Sequence, residues 1–200
     1  MVIYLDVKII RSKPVPNRKA EDAIDLFIAE WTRERPDLDF DYLATLGRVL
    51  RISAHLRESM DAWLSPFGLT WEMFDLVASL RRSGERDGMR PTDLYHACML
   101  SSGATTNRID RAETLGLVER RPDPADGRAT RIALTRKGTA LADKAMTQHA
   151  ARAGDIAEAL SAEERKRLGP LLRKLLRSME SKPARAKRLV VASVSRAPAP

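Results

Sequence analysis

The sequence predicts a mainly α-helical fold, a winged helix-turn-helix flanked by long N- and C-terminal dimerisation helices, and three observations carry that expectation. Residues 101–116 read as a capped, polar-faced helix that stops at a glycine. Residues 117–134 read as a two-stranded hairpin with arginines around its turn. Apolar stripes at helical spacing run along both ends of the chain and are too long for so small a winged module to cover.

Taken in order, Ile24, Phe27, Ile28 and Trp31 stand at i, i+3, i+4 and i+7, which predicts an amphipathic helix over residues 18–35. After Pro36 a second helix is expected over residues 39–64. It would bury Leu43, Leu46, Val49, Leu50, Ser53, Leu56, Met60 and Trp63 and end before Pro66-Phe67-Gly68. Thr70 offers a hydroxyl cap to a third helix reaching Arg82, with Met73, Phe74, Leu76, Val77 and Leu80 as a broad apolar face, and Ser83-Gly84 stops it. Arg90-Pro91-Thr92 opens a short helix through Cys98, because proline is tolerated in a first turn. Met99-Leu100-Ser101 then makes the tight connection of a helix-turn-helix.

Ser101 and Ser102 can each cap the next helix, and Gly116 suits the left-handed position after its end, with Leu117 packing back. Strands are expected over residues 117–121 and 129–134, joined by the turn-forming PDPADG. Thr135 caps a long helix to about residue 160. Ser161 with Glu164 makes a capping box for a last helix striped by Leu168, Leu171, Leu172, Leu175, Leu176 and Met179. Pro170 lies inside that stripe and predicts a kink or break, since an interior proline removes a backbone hydrogen bond.

On a helical projection of residues 102–115, Thr105, Arg108, Ile109, Ala112 and Leu115 share one side. Gly103, Thr106, Asn107, Asp110 and Thr114 share the other, with Arg111 beside them. A small polar face of this kind suits the edges of bases in a major groove. Arg120, Arg121, Arg128 and Arg131 make the hairpin a basic wing, able to follow phosphates or enter a narrow minor groove. The expected partner is double-stranded DNA, contacted through Ser101, Ser102, Thr106, Asn107, Arg111, Arg128 and Arg131. Pairing of the terminal stripes with a second copy predicts a homodimer.

The 200 residues, 44% hydrophobic and 31% charged, fit one regulator domain and not a membrane protein. No apolar run approaches the roughly 18 residues that a membrane span needs, and MVIYLDVKII, interrupted by Asp6 and Lys8, is no convincing secretory signal, so a cytoplasmic location is expected. One cysteine excludes an internal disulfide, and three separated histidines give no metal-ligand spacing. Neither metal nor cofactor is expected. The net charge of +8 lies in the tails: residues 1–20 hold five Lys/Arg against one acid and residues 181–200 five against none, leaving residues 21–180 at about −1. Residues 1–17 and 181–200 read as basic disordered segments, and residues 18–180 as the regulator domain, with the winged module over 85–135 and dimerisation helices over 18–65 and 136–179.

The run LSSGATTNRID, followed by GLVERRPDPADGR and LTRKG, resembles the multiple antibiotic resistance regulator (MarR) family, from about Trp31 to Met179. That resemblance implies a dimeric winged helix-turn-helix transcription factor. The family's wing tip commonly carries Asp-Arg-Arg where this chain has Asp126-Gly127-Arg128, one cation fewer. The segment IAEWTRERPDLD further resembles the urate-responsive branch, which implies a small anionic ligand, urate or a related purine, linked to Trp31, Asp75, Arg108 and Arg120. Read alone, Trp31 is a core residue and Asp75 an exposed acid, whereas Arg108, on the flank of its helix's apolar side, needs a carboxylate or an anion. Two other readings stay open: redox sensing through Cys98, and a winged helix that binds other proteins. No nucleophile and base constellation, metal set or phosphate-cradling glycine loop can be placed, so an enzyme is not expected.

Overall fold

The computed structural model describes residues 21–98 and 105–181. Helix α1 (Ala23–Glu34) starts later than the apolar periodicity predicts because Asp22 caps it: its side chain accepts the N–H groups of Ile24 and Asp25, and Asp25 returns the bond to Asp22. Helix α2 (Asp41–Leu64) runs close to its expected span. Arg48 ties the two together, reaching Asp22 at 2.8 Å and Asp25 at 2.6 Å, while Ile24 is buried against Gly47. The face of α2 expected to be buried is largely open. Leu46, Val49, Leu50 and Ser53 are exposed, and Leu43, Leu56, Met60 and Trp63 are half-buried.

After a 3-10 turn at Ser65–Phe67, helix α3 (Trp71–Ser83) begins at its Thr70 cap, whose hydroxyl accepts the Met73 N–H, and ends at Gly84 in the left-handed region. It is the centre of the core: every residue from Met73 to Leu80 is buried. Helices α4 (Pro91–Ala97) and α5 (Thr105–Thr114) pack on it through Leu94, Ile109 and Ala112. The expected caps Ser101 and Ser102 lie outside the described residues. At the other end of α5 the Leu117 N–H reaches the Ala112 carbonyl and the Gly116 N–H that of Glu113, with Gly116 at φ +68°. This double closure is the glycine-dependent helix end expected there.

The hairpin consists of strand β1 (Val118–Asp123) and antiparallel strand β2 (Asp126–Leu134), with Val118 opposite Leu134 and Arg120 opposite Ile132. The strands consume most of the segment expected to be loop, leaving Pro124-Ala125 at the tip. Two side chains close it, because Asp123 accepts the Ala125 N–H at 2.9 Å and Asp126 accepts that of Arg128 at 3.1 Å. Met89 adds a third, one-residue rung: its N–H reaches the Ile132 carbonyl at 3.0 Å and its carbonyl accepts the Ile132 N–H at 2.8 Å. Gly88, at φ +83°, permits that approach, because a Cβ there would strike the Ile132 carbonyl.

Helix α6 (Arg136–Ala157) is capped by Thr135, which accepts the Gly138 N–H at 2.9 Å and donates its hydroxyl to the Gly116 carbonyl at 2.7 Å. Helix α7 (Ala162–Glu180) opens on the expected Ser161–Glu164 box. It runs through Pro170 as one continuous helix, so of the kink or break expected there the break does not occur, and one backbone bond is lost. The chain divides into two compact units, Met1–Asp143 and Lys144–Pro200. Among the described residues no helix is long and apolar enough to cross a membrane.

The first turn of α6 lies against the end of β1's lead-in so closely that a Cβ on Gly138 would overlap the Leu117 carbonyl. Gly138→Ala is therefore expected to destabilise the fold by about 1–3 kcal/mol through overpacking, read as a lower thermal midpoint. Gly127→Ala, at a position open on all sides, serves as the control that leaves the midpoint near the parent's.

Candidate nucleic-acid interface

Helix α5 is anchored by its buried Ile109 and Ala112, which turns Thr106, Asn107, Asp110, Arg111 and Thr114 to the outside. All five side chains end in groups that can hydrogen-bond base edges or phosphates. Leu115, expected on the apolar side, is 40% exposed, because the chain has already left the helix at that point.

The wing arginines divide into two kinds. Arg128 is exposed, and no ion pair among the described residues engages it. Arg131, expected to contact DNA, is turned into the base of the wing: it lies 3.0 Å from Glu85, donates to the Gly88 carbonyl at 2.8 Å, and stands 3.2 Å from Asp123. Its guanidinium is a structural cation. Arg121 is similarly occupied, by Glu119 and the Arg86 carbonyl.

The centre of this arrangement is Asp123, which the sequence presents only as a turn residue. Its side chain is fully buried. It accepts the Ala125 N–H, the Nε–H of Arg90 at 2.7 Å, and the charge of Arg131. The turn N–H first, then the two guanidiniums, hold its carboxyl down at about 2 from an ordinary 3.8. Arg90 immediately precedes α4, so this carboxylate fixes the wing to the helix-turn-helix. The signal available beforehand was an acid between two prolines with arginines on both sides.

The four residues linked to an anionic effector lie on four different elements, Trp31 on α1, Asp75 on α3, Arg108 on α5 and Arg120 on β1. Trp31, expected in the core, is 52% exposed and stacks on Phe40 at 5.8 Å. Asp75, expected to be exposed, is buried on α3 at 5% exposure. Arg108 is half-buried. The charges of Asp75 and Arg108 both act on Cys98. Arg120 on β1 pairs with Asp110 at 2.6 Å and with Glu113, both on α5. An open cleft of about 510 Å³ lies nearby, lined by Ser79, Arg82, Ser83, His96 and Ala97, and holds none of the four. Burial pushes the Cys98 thiol up. A thiol kept protonated is a poor sensor, which weighs against redox control.

A helix-turn-helix with a hairpin wing, its reading helix exposed on the polar side, defines a winged DNA-binding protein. The sequence pattern of the MarR family matches residues 67–129. The chain is also 33% identical over 145 residues to the HTH-type transcriptional regulator PecS of Dickeya dadantii (strain 3937), an alignment covering 72% of this chain and 87% of PecS. The chain belongs to the MarR family of DNA-binding transcriptional regulators. Among solved structures it is similar to the S. aureus MepR–DNA complex, at 26% identity and TM-score 0.61, covering 67% of this chain and 98% of MepR. It is likewise similar to AbsC, a MarR family regulator from Streptomyces coelicolor, at 26% identity and TM-score 0.63, covering 72% and 97%.

Because the folded Asp123 value lies below the unfolded one, its ionised form stabilises the wing fully above about pH 4, and that stabilisation disappears as pH falls from there towards 2. Asp123→Asn is therefore expected to melt below the parent at neutral pH, with the gap closing as the pH is lowered through that window. A gap of constant size across the series of thermal melts would show that the charge of Asp123 is not what holds the wing.

Proposed function

We propose that the chain is a ligand-responsive repressor that acts in the cytoplasm, binds a pseudo-palindromic operator as a homodimer, and is released by a small anion such as urate. The observation that carries the DNA reading is the pairing of an exposed polar face on α5 with an exposed Arg128 on the adjoining wing. In this reading Thr106 and Asn107 meet base edges and Arg111 and Arg128 meet phosphates, with Ser101 and Ser102, outside the described residues, as further proposed DNA contacts. Arg131, paired with Glu85 and Asp123, supports the wing from within in this reading. The homodimer is supported by apolar surface that the protomer leaves open, with Leu171, Leu176 and Met179 on α7 each more than half exposed. Two such protomers about a two-fold axis place their reading helices on successive turns of one DNA face.

For the effector, an aromatic surface at Trp31, a buried acid at Asp75 and two arginines, Arg108 on the reading helix and Arg120 beside it, supply the groups a planar anion needs. Ligand binding that displaces α5 by a small amount changes the spacing of the two reading helices in the dimer.

A footprint on the DNA upstream of its own coding region should show two half-sites roughly 10 base pairs apart, and a single asymmetric half-site would refute the dimeric reading. On that operator, Asn107→Ala should lose base discrimination worth about 1–3 kcal/mol. Arg128→Ala should weaken specific and random duplexes alike and lower the salt slope by about one.

Urate added to the free protein should quench tryptophan fluorescence and release a labelled operator over the same concentration range, since both effects report one occupied site. Trp31→Phe should reduce the quench, with Trp63 and Trp71 supplying the remainder. Release without any quench would place the ligand elsewhere, and an absence of both would remove urate as the effector.

A further inference from the structure

Helix α5 carries two carboxylates as well as two arginines within its ten residues: Asp110 and Glu113, Arg108 and Arg111. That is an unusual composition for a surface meant to approach phosphates. Asp110 is exposed, on the same side as Thr106 and Asn107, and Glu113 lies one turn further on. Uncompensated negative charge on this face would repel a phosphate backbone brought within the Debye length, about 8 Å at physiological salt. The compensation comes from outside the helix. Arg120, on β1, puts Nη2 at 2.6 Å from Asp110 Oδ1 and pairs its Nη1 with Glu113 Oε2. One guanidinium thus spans both carboxylates. Both pairs are solvent-accessible, so the bonds exchange at small cost with any other anion that reaches Arg120.

We propose that Arg120 is a charge latch on the recognition helix: it masks Asp110 and Glu113 while DNA is bound, and an anionic effector that draws it away unmasks the two carboxylates against the phosphates and expels the duplex. The second half rests on the effector reading proposed above. The first half does not, because the mask operates in the absence of any ligand. Arg120 is then a positioning and charge-balancing residue for DNA binding, and its role is opposed by two acids that sit on the reading helix itself. Release needs no large movement of α5, because a change of partner at one side chain alters the field that the duplex meets. By linkage, the carboxylates and the anion compete for the same guanidinium, so removing the carboxylates must tighten the anion.

The test measures affinity for a random-sequence duplex without effector, which makes it independent of the operator. Arg120→Gln keeps a polar side chain and removes the charge. It is expected to bind about tenfold more weakly than the parent, the loss of two exposed pairs. Adding Asp110→Asn and Glu113→Gln to Arg120→Gln should restore the parent affinity, whereas a structural role for Arg120 would leave the triple variant as weak as the single one. Asp110→Asn/Glu113→Gln with Arg120 intact should bind the duplex more tightly than the parent and should show a lower midpoint for urate in the tryptophan quench. Arg120→Gln binding like the parent overturns the latch, as does failure of the two neutralising substitutions to restore it. If Arg120→Gln proves unfolded by thermal melt, a double variant no tighter than the parent overturns it instead. If urate does not quench the parent, the effector reading fails on its own, and the duplex affinities still decide the latch.

Discussion

The carboxylate of Asp123 is the charge around which the DNA-binding half of the molecule is arranged. It is buried, and a buried carboxylate is tolerable only where cations and N–H donors surround it. Here they come from three separate places: Ala125 in the turn, Arg90 at the head of α4, and Arg131 on the opposite strand. The same ion therefore shapes the hairpin tip and fastens it to the helix pair. Arg131 extends the network to Glu85 and the Gly88 carbonyl, in the segment whose Met89 pairs with Ile132. The wing is held on two sides, by charge at its tip and by a backbone rung near its base.

A second seam fixes the recognition helix. Its C-terminal end is closed by Gly116 and Leu117, and Thr135 bonds the Gly116 carbonyl while capping α6. The end of the reading helix, the start of the wing and the start of α6 thus meet within one small cluster of backbone groups. That is why Gly138 has no room for a side chain. A displacement of any one of the three is transmitted through direct hydrogen bonds and not through flexible linkers.

Much of this was legible because the relevant signals are local. The Thr70 cap, the Ser161–Glu164 box, Gly116 and the alternation of Thr130, Ile132 and Leu134 each specify their element from a few neighbouring residues, and the structure has the corresponding elements in place. What could not be read depended on partners distant in sequence. Asp75 lies off its helix's apolar centre, yet it is buried once other elements pack on α3. Arg131 and Arg120 look like free wing cations until Glu85, Asp123, Asp110 and Glu113 are brought to them by the fold. Trp31 and the stripe on α2 are apolar by pattern but exposed in the protomer, since periodicity shows which face avoids water without showing what covers it. Pro170 does not break α7, which opens on the Ser161–Glu164 box and continues to Glu180.

The charge distribution gives these ion pairs functional weight. With residues 21–180 close to neutral, net charge supplies little long-range attraction for DNA here, which puts weight on the local arrangement of a few groups. Several arginines of the wing region are already committed: Arg90 and Arg131 to Asp123, Arg121 to Glu119, Arg120 to Asp110 and Glu113. A surface in which attraction and repulsion are so nearly balanced responds to the movement of a single charge. A strongly basic surface would not, since losing one of many phosphate contacts leaves most of the affinity intact. Near-neutrality at the reading helix, which at first sight argues against a DNA-binding protein, is the condition under which one small anion could control the release of a duplex.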